Sequence, residues 1–260
     1  MSRPATLPIQ IRPADESDAA AIYELKQRCF GANYLLYSIY RAPQSVDYVK
    51  QLIAAGTPAG QVFLVAFRGP TLQGYVQANR AGDALFLSYI GVAPDAQHLG
   101  LGNLLHERYR EAAVTMGCSH LELDVFESNP EVVRWYERLG YQQIGCRHLA
   151  RVRLGEVQPT GGAELSIDEM RLSQVLAEES ARGFSHMEML LGDAALDIGF
   201  IDGSVLKILK TDAPLSHTCA TLARRFAGER SELIVTDAPP DSSGLPCISE
   251  EKGIRLRRHV

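Results

Sequence analysis

The segment that most constrains this chain is Gln97-His98-Leu99-Gly100-Leu101-Gly102. It lies between an apolar run, Leu85 to Val92, and a helical pattern that opens near Asn103. An apolar strand, a glycine loop and a helix start, in that order, make a docking place for phosphate. Glycines at 100 and 102 let the backbone approach an anion with no Cβ in the way. The helix start adds unpaired N–H groups and the positive end of its dipole. The loop therefore predicts a phosphorylated ligand, and the question is which one.

The order of elements around the loop narrows the answer. Ile9 to Arg12 reads as a short strand, and Asp15-Glu16-Ser17-Asp18 opens an amphipathic helix carrying Ala21, Ile22, Leu25 and Phe30. An aromatic segment with Tyr34, Tyr37 and Tyr40 follows, then a helix from Val46 to Ala55 closed by Gly56. Val62 to Phe67, Gly74 to Ala78 and Leu85 to Val92 read as strands of an antiparallel meander, with turns at Gly69-Pro70 and Gly82-Asp83. After the glycine loop come a helix from Asn103 to Met116 and a strand from His120 to Phe126 that alternates Leu121, Leu123 and Val125 with Glu122 and Asp124. Asn129-Pro130 opens a short helix that Gly140 ends, and Tyr141 to Ile144 starts another strand. A glycine loop after a meander, without G-K-[ST] or G-x-G-x-x-G, is neither a P-loop nor a dinucleotide fold.

Charge and cysteine usage exclude other classes. The net charge of -5 offers no global positive field for nucleic acid. Arg255, Arg257 and Arg258 form the one basic cluster and read as a solvated tail, with a phosphate contact as the alternative. Five scattered cysteines without a C-x-x-C argue against zinc or a disulfide scaffold and suit a reducing cytoplasm; Cys118 and Cys146 read as core. No apolar run is long enough to span a membrane, and Met1 to Pro8 lacks a signal-peptide core.

Two blocks carry a family resemblance. Val92 followed by Gln97-His98-Leu99-Gly100-Leu101-Gly102 matches a strand-final Val and a [QR]-x-x-G-x-[GA] loop, and Asn129, Tyr136, Gly140 and Tyr141 match a second block at fitting spacing. Residues 9–155 thereby resemble the GNAT superfamily of acyl-CoA-dependent N-acetyltransferases. The resemblance implies an α+β (α/β three-layer) fold, with a mixed, mostly antiparallel sheet flanked by helices. A domain over residues 7–156, a linker at 157–162 and a smaller α+β domain over 163–260 are expected.

The resemblance also implies roles. Backbone N–H groups of His98, Leu99, Gly100, Leu101, Gly102 and Asn103, beside Gln97, would hold the coenzyme A pyrophosphate; His98 itself reads as a solvent-facing loop residue. Backbone groups of Ile90 and Val92 would contact pantetheine and the acetyl carbonyl where two strands splay. Tyr136 would protonate the departing thiolate, the alternative being an aromatic that packs its helix on the sheet, as Trp135 next to it would. Asn129 either bonds the coenzyme arm or serves only as a helix cap. Tyr34 and Tyr37 would line the acceptor site. Many relatives place a Glu on the strand before the loop, but Leu85 to Ile90 has no carboxylate. The general base is therefore unassigned among Glu122, Asp124 and a water held by Ser88 or Tyr89, although the alternation around Glu122 and Asp124 fits a plain solvent-facing side.

The second half repeats the order of the first. Phe184 to Leu191, Ala194 to Ile201 and Val205 to Leu209 read as strands, followed by a helical pattern with Cys219, Leu222, Ala223 and Phe226 and a strand from Glu232 to Thr236. Ala93-Pro94 and Ala213-Pro214 occupy the same place in the two halves. The repeat is degenerate: Leu215-Ser216-His217-Thr218 replaces the glycine loop, and Pro239-Pro240 and Ser242-Ser243-Gly244 replace the Asn…Tyr…Gly block. The competing reading is an unrelated domain that dimerises the chain or covers the acceptor site. The expected activity is transfer of an acetyl group from acetyl-CoA, as co-substrate and without a metal, to a small-molecule or peptide primary amine. A non-catalytic acyl-CoA sensor or scaffold is the alternative, and a longer acyl donor and a homodimer stay open.

Overall fold

The computed structural model describes residues 8–158, 164–236 and 245–260. Most of the expected linker, Pro239-Pro240 and Ser242-Ser243-Gly244 lie outside them. In chain order the elements are β1 (Ile9–Pro13), α1 (Ala19–Cys29), α2 (Ala32–Leu35), α3 (Ser45–Ala55), β2 (Gln61–Arg68), β3 (Thr71–Ala81), β4 (Ala84–Val92), α4 (Leu101–Thr115), β5 (His120–Phe126), α5 (Pro130–Arg138) and β6 (Gln142–Arg153). The second half adds β7 (Leu165–Ser166), α6 (Glu169–Arg182), β8 (Phe184–Leu191), β9 (Ala194–Ile201), β10 (Val205–Thr211), α7 (Leu215–Phe226), β11 (Glu232–Thr236) and β12 (Cys247–His259).

All these strands join one mixed sheet in the order β1-β2-β3-β4-β5-β12-β6-β11-β10-β9-β8-β7. The order reads alike from either end. In each half a meander leads to a parallel pair, β4 with β5 and β10 with β11, and the parallel pair meets an antiparallel strand. That last strand is exchanged. β12, from the end of the chain, lies beside β5, while β6 lies beside β11.

The exchange corrects the expectation of a solvated tail at Arg255, Arg257 and Arg258. Those residues belong to β12, whose Ile254 and Leu256 enter the first core opposite Val125 and Leu123. On the opposite face Arg255 stands across from Asp124 and Arg257 across from Glu122, each pair hydrogen-bonded. Glu122 is thus buried rather than solvent-facing. Arg258 donates to Leu139 O at 2.6 Å. Two alternating strands with opposite charges on one face specify their register, because a one-residue slip would bury the charges and expose the leucines.

Cys146 also differs from expectation. Cys118 is buried, but Cys146 is exposed on β6, and its neighbour Ile144 is 48% exposed. The apolar look of that stretch does not face a core.

One core fills the first half, and a second lies under α6 and α7. A small third cluster joins the halves, with Tyr37 packed against Ile201, Val205 and Ile234. Polar contacts reinforce that junction. Arg41 bonds Asp202 at 2.6 Å and Glu232 at 3.4 Å, and Tyr48 packs edge-on to Phe184. Gly74 lets α4 close on the meander, since a Cβ there would come within 2.7 Å of Leu105 Cδ1.

Candidate active site

β4 and β5 pair only from Ala84–His120 to Leu87–Leu123, then separate. The register of β4 against β3 shifts at the same point: Tyr89 faces Gln77 and Leu87 faces Ala78, leaving Ser88 as an extra residue. This bulge bends β4 away from β5, as bulges do. Beyond it Ala93 N donates to Gln73 O at 2.8 Å, so alternate residues of β4 turn their backbone to β3. Ile90 and Val92 turn theirs to the gap, and Val92 O accepts from Cys29 Sγ at 3.3 Å and Gln97 Nε2 at 3.2 Å from that side.

The gap is a cleft of about 670 Å³. Its walls bring together Tyr34, Ile90, Val92, Gln97, Asn129 and Tyr136 from the expected site. His98 to Asn103 continue from the Gln97 wall, outside the enclosed volume. There the chain passes through left-handed conformations at His98 (φ 61°) and Gly100 (φ 82°), the residue that starts α4. Among the described residues the backbone N–H groups from His98 to Asn103 have no protein acceptor; Leu104 is the first to donate, to Gly100 O at 3.2 Å. A run of free N–H groups at a helix start suits an anion. A Cβ on Gly102 would meet only Trp135 Cζ2, at 3.6 Å, and Val92 Cγ2, at 4.0 Å, so packing inside the protein does not demand that glycine. Asn103 Oδ1 accepts from Trp135 Nε1 at 2.8 Å, which ties α4 to α5.

Tyr136 is buried on α5 and lies against the rings of Trp135 and Tyr141. Burial pushes its phenol well above the ordinary value, so it stays neutral and keeps a proton to donate. The Asn129 side chain accepts from Val132 N at 3.4 Å as the cap of α5, and it also lines the cleft. Burial raises the Cys29 thiol to about 11, which leaves it a protonated wall residue.

A second cavity of about 320 Å³ adjoins the cleft, sharing Tyr34, Leu87, Ser88, Tyr89, Asp124 and Phe126 with it. Tyr37 lines this second cavity and not the first, and its hydroxyl meets Ser249 Oγ at 2.9 Å. Tyr34 packs on Phe126 with ring centroids 4.7 Å apart. Tyr89, also on both walls, has its phenol raised to about 12 by burial.

The carboxylates sort by their partners. Glu122 is bound by Arg257 and lines neither cavity. Asp124 lines both but is gripped by Arg255, with Arg147 at 3.7 Å. Glu131 is exposed at the start of α5. Glu251, which sequence reasoning missed, reaches the cleft from β12 and is hydrogen-bonded by Ser128 Oγ at 3.0 Å. Among the described residues it has no cationic partner. Its placement depends on the exchange of β12, which no local pattern signals. Among the described residues no group of three or more His, Cys, Asp or Glu side chains is arranged to hold a metal ion, and no helix is long and apolar enough to cross a membrane.

Residues 19–141 match the model of the acetyltransferase (GNAT) family. An acetyltransferase of Pectobacterium atrosepticum is 32% identical over 90 residues, which are 35% of this chain and 64% of the relative. One from Yersinia pestis is 34% identical over 82 residues, 32% and 58% of the two chains. The chain thus spans about three-fifths of the length of these curated relatives. Among solved structures, a tandem GNAT protein from the clavulanic acid biosynthesis pathway aligns with 97% of this chain and 98% of its own, at 13% identity and a TM-score of 0.67. A GCN5-related N-acetyltransferase from Sphaerobacter thermophilus aligns over 98% and 97%, at 15% identity and a TM-score of 0.65. At such identities the likeness speaks for the fold, which it extends over both halves. Residues 19–141 are therefore similar to the GNAT acetyltransferase family, and the whole chain has the fold of a tandem GNAT protein.

Proposed function

We propose that the protein is an N-acetyltransferase that moves the acetyl group of acetyl-CoA to a primary amine by direct attack. The observation that carries this reading is the gap between β4 and β5. It has backbone groups of Ile90 and Val92 on one side, a helix start with free N–H groups at its end, and a buried phenol in its wall. The N–H groups from His98 to Asn103 would hold the pyrophosphate, and Ile90 and Val92 would pair with the pantetheine arm as a neighbouring strand does. An N–H of that edge, aimed at the thioester carbonyl, stabilises the oxyanion of the tetrahedral intermediate.

The amine nitrogen bonds to the carbonyl carbon and the C–S bond breaks. Tyr136 gives its proton to the departing thiolate. Glu251 is the cleft carboxylate best able to take the amine proton, directly or through a water, because no arginine among the described residues holds it. Asp124, already neutralised by Arg255, is a weaker acceptor. The acceptor enters from the cavity lined by Tyr34 and Tyr37. Five free thiols fit a reducing, cytoplasmic setting for this chemistry.

Release of free thiol from acetyl-CoA across an amine library tests the proposal. Transfer to at least one amine is expected, and Tyr136→Phe lowers kcat by about 10²–10⁴-fold while acetyl-CoA affinity stays within about twofold. Acetyl-CoA binding without transfer to any amine overturns the catalytic reading, and an unchanged kcat removes Tyr136 from the mechanism.

A further inference from the structure

The acceptor-side cavity has an uneven charge. Asp124 stands on the part of the wall shared with the cleft, with Arg147 of β6 3.7 Å away, and Lys207 of β10 stands on a part that the cleft does not share. Lys207 stands beside Gly199 of β9 and Ile234 of β11 in the sheet. Its Nζ donates to Tyr37 O at 3.1 Å. It lines this cavity and a neighbouring one of about 430 Å³ that Tyr37 also lines. Among the described residues no carboxylate lies within ion-pair distance of it. Burial, and secondarily Arg147, lower its pKa. An enclosed ammonium whose protein partner is one carbonyl lacks a countercharge, and an anionic ligand is the natural source of one.

We propose that the acceptor is a small amine that also bears a carboxylate, of the amino-acid class, and that Lys207 from the second half binds that carboxylate. This rests on the acetyltransferase reading for the direction of the amine. With the carboxylate at Lys207, the amine points to the end where Asp124 and the cleft lie. The aromatic pair Tyr34 and Phe126 covers the carbon skeleton between them. A cavity of about 320 Å³ holds a molecule of amino-acid size. The second half would then supply the specificity of a site whose cofactor lies in the first.

Product mimics test this without turnover. N-acetyltyrosine and N-acetyltyramine differ by one carboxylate, as do N-acetylleucine and N-isopentylacetamide. Each is titrated calorimetrically into the full chain loaded with coenzyme A. In at least one pair the acid is expected to bind about tenfold or more tighter than its neutral partner. Lys207→Met should bring the members of that pair to parity, and Lys207→Arg should keep the preference. Coenzyme A affinity serves as the check that each variant is folded. Equal or tighter binding of the neutral members, binding by none of the four, or a preference that survives Lys207→Met would overturn the proposal. Carboxylate-dependent binding in a protein that fails the thiol-release assay would uphold this pocket while the catalytic reading falls.

Discussion

Twice in this molecule a strand of the sheet hands the chain to a helix, and the two junctions are built differently. Between β4 and α4 run residues 93–100, a loop with two left-handed residues and, from His98 on into the helix, a run of N–H groups with no protein acceptor among the described residues. Between β10 and α7 run only residues 212–214, ending in Pro214. There Thr218 N donates to Pro214 O at 3.0 Å, and the Thr218 hydroxyl bonds the same carbonyl and Thr211. The shorter junction bonds partly to itself and leaves three helix-start N–H groups, Leu215 to His217, without an acceptor among the described residues, against six in the first half. The same fold thus presents a six-residue run of free N–H groups on a glycine loop in one half and an ordinary helix start after Pro214 in the other. What separates them is loop length and the residue before the helix, glycine or proline, not the surrounding sheet.

The halves differ in a second way: the half without the glycine loop contributes to the half with it. β12 brings Glu251 to the cleft and Leu256 to the first core. If that traffic matters, Glu251→Gln should reduce kcat by about 10²–10⁴-fold with acetyl-CoA affinity preserved, read by steady-state thiol release. A small change there would return the base to Asp124 or a water. Glu179→Ala probes the second half by itself. Glu179 pairs with Arg230 through two bonds of 2.7 Å and also accepts from Gly203 N at 2.9 Å. Leaving Arg230 buried and alone should cost about 3–5 kcal/mol in denaturant unfolding. Leu256→Ala should cost about 2–5 kcal/mol. Although Leu256 lies near the end of the chain, faster hydrogen exchange should appear in β5 rather than β10. Loss of protection in β10 instead would mean that β12 serves the second half. His98→Ala should change acetyl-CoA affinity by less than about 0.5 kcal/mol by calorimetry, if the loop binds through backbone as proposed.

Local pattern made the first half legible. The alternation of Leu121, Leu123 and Val125 and the cap at Asn129-Pro130 mark β5 and α5 to within a residue, since period and capping are local properties. The splay between β4 and β5 came from the family resemblance, and the bulge at Ser88 is its physical origin. β12 was not legible. Its core-facing Ile254 and Leu256 sit among Arg255, Arg257 and Arg258, and only the complementary Glu122 and Asp124 on a distant strand turn that string from tail to ladder. The place of Glu251 on the cleft follows from the same tertiary exchange, and that of Lys207 from the contact of β10 with Tyr37; neither had a local signal.

Counting cofactors tests the central claim, that one half of this tandem binds and the other does not. Titration of acetyl-CoA into the full chain by calorimetry should give one equivalent per chain. Gly102→Asp, whose new Cβ the protein accommodates but whose carboxylate opposes a phosphate, should abolish that binding. Ser216→Asp, at the start of α7, should leave it intact. Two equivalents per chain, or one that Ser216→Asp removes and Gly102→Asp spares, would contradict the account.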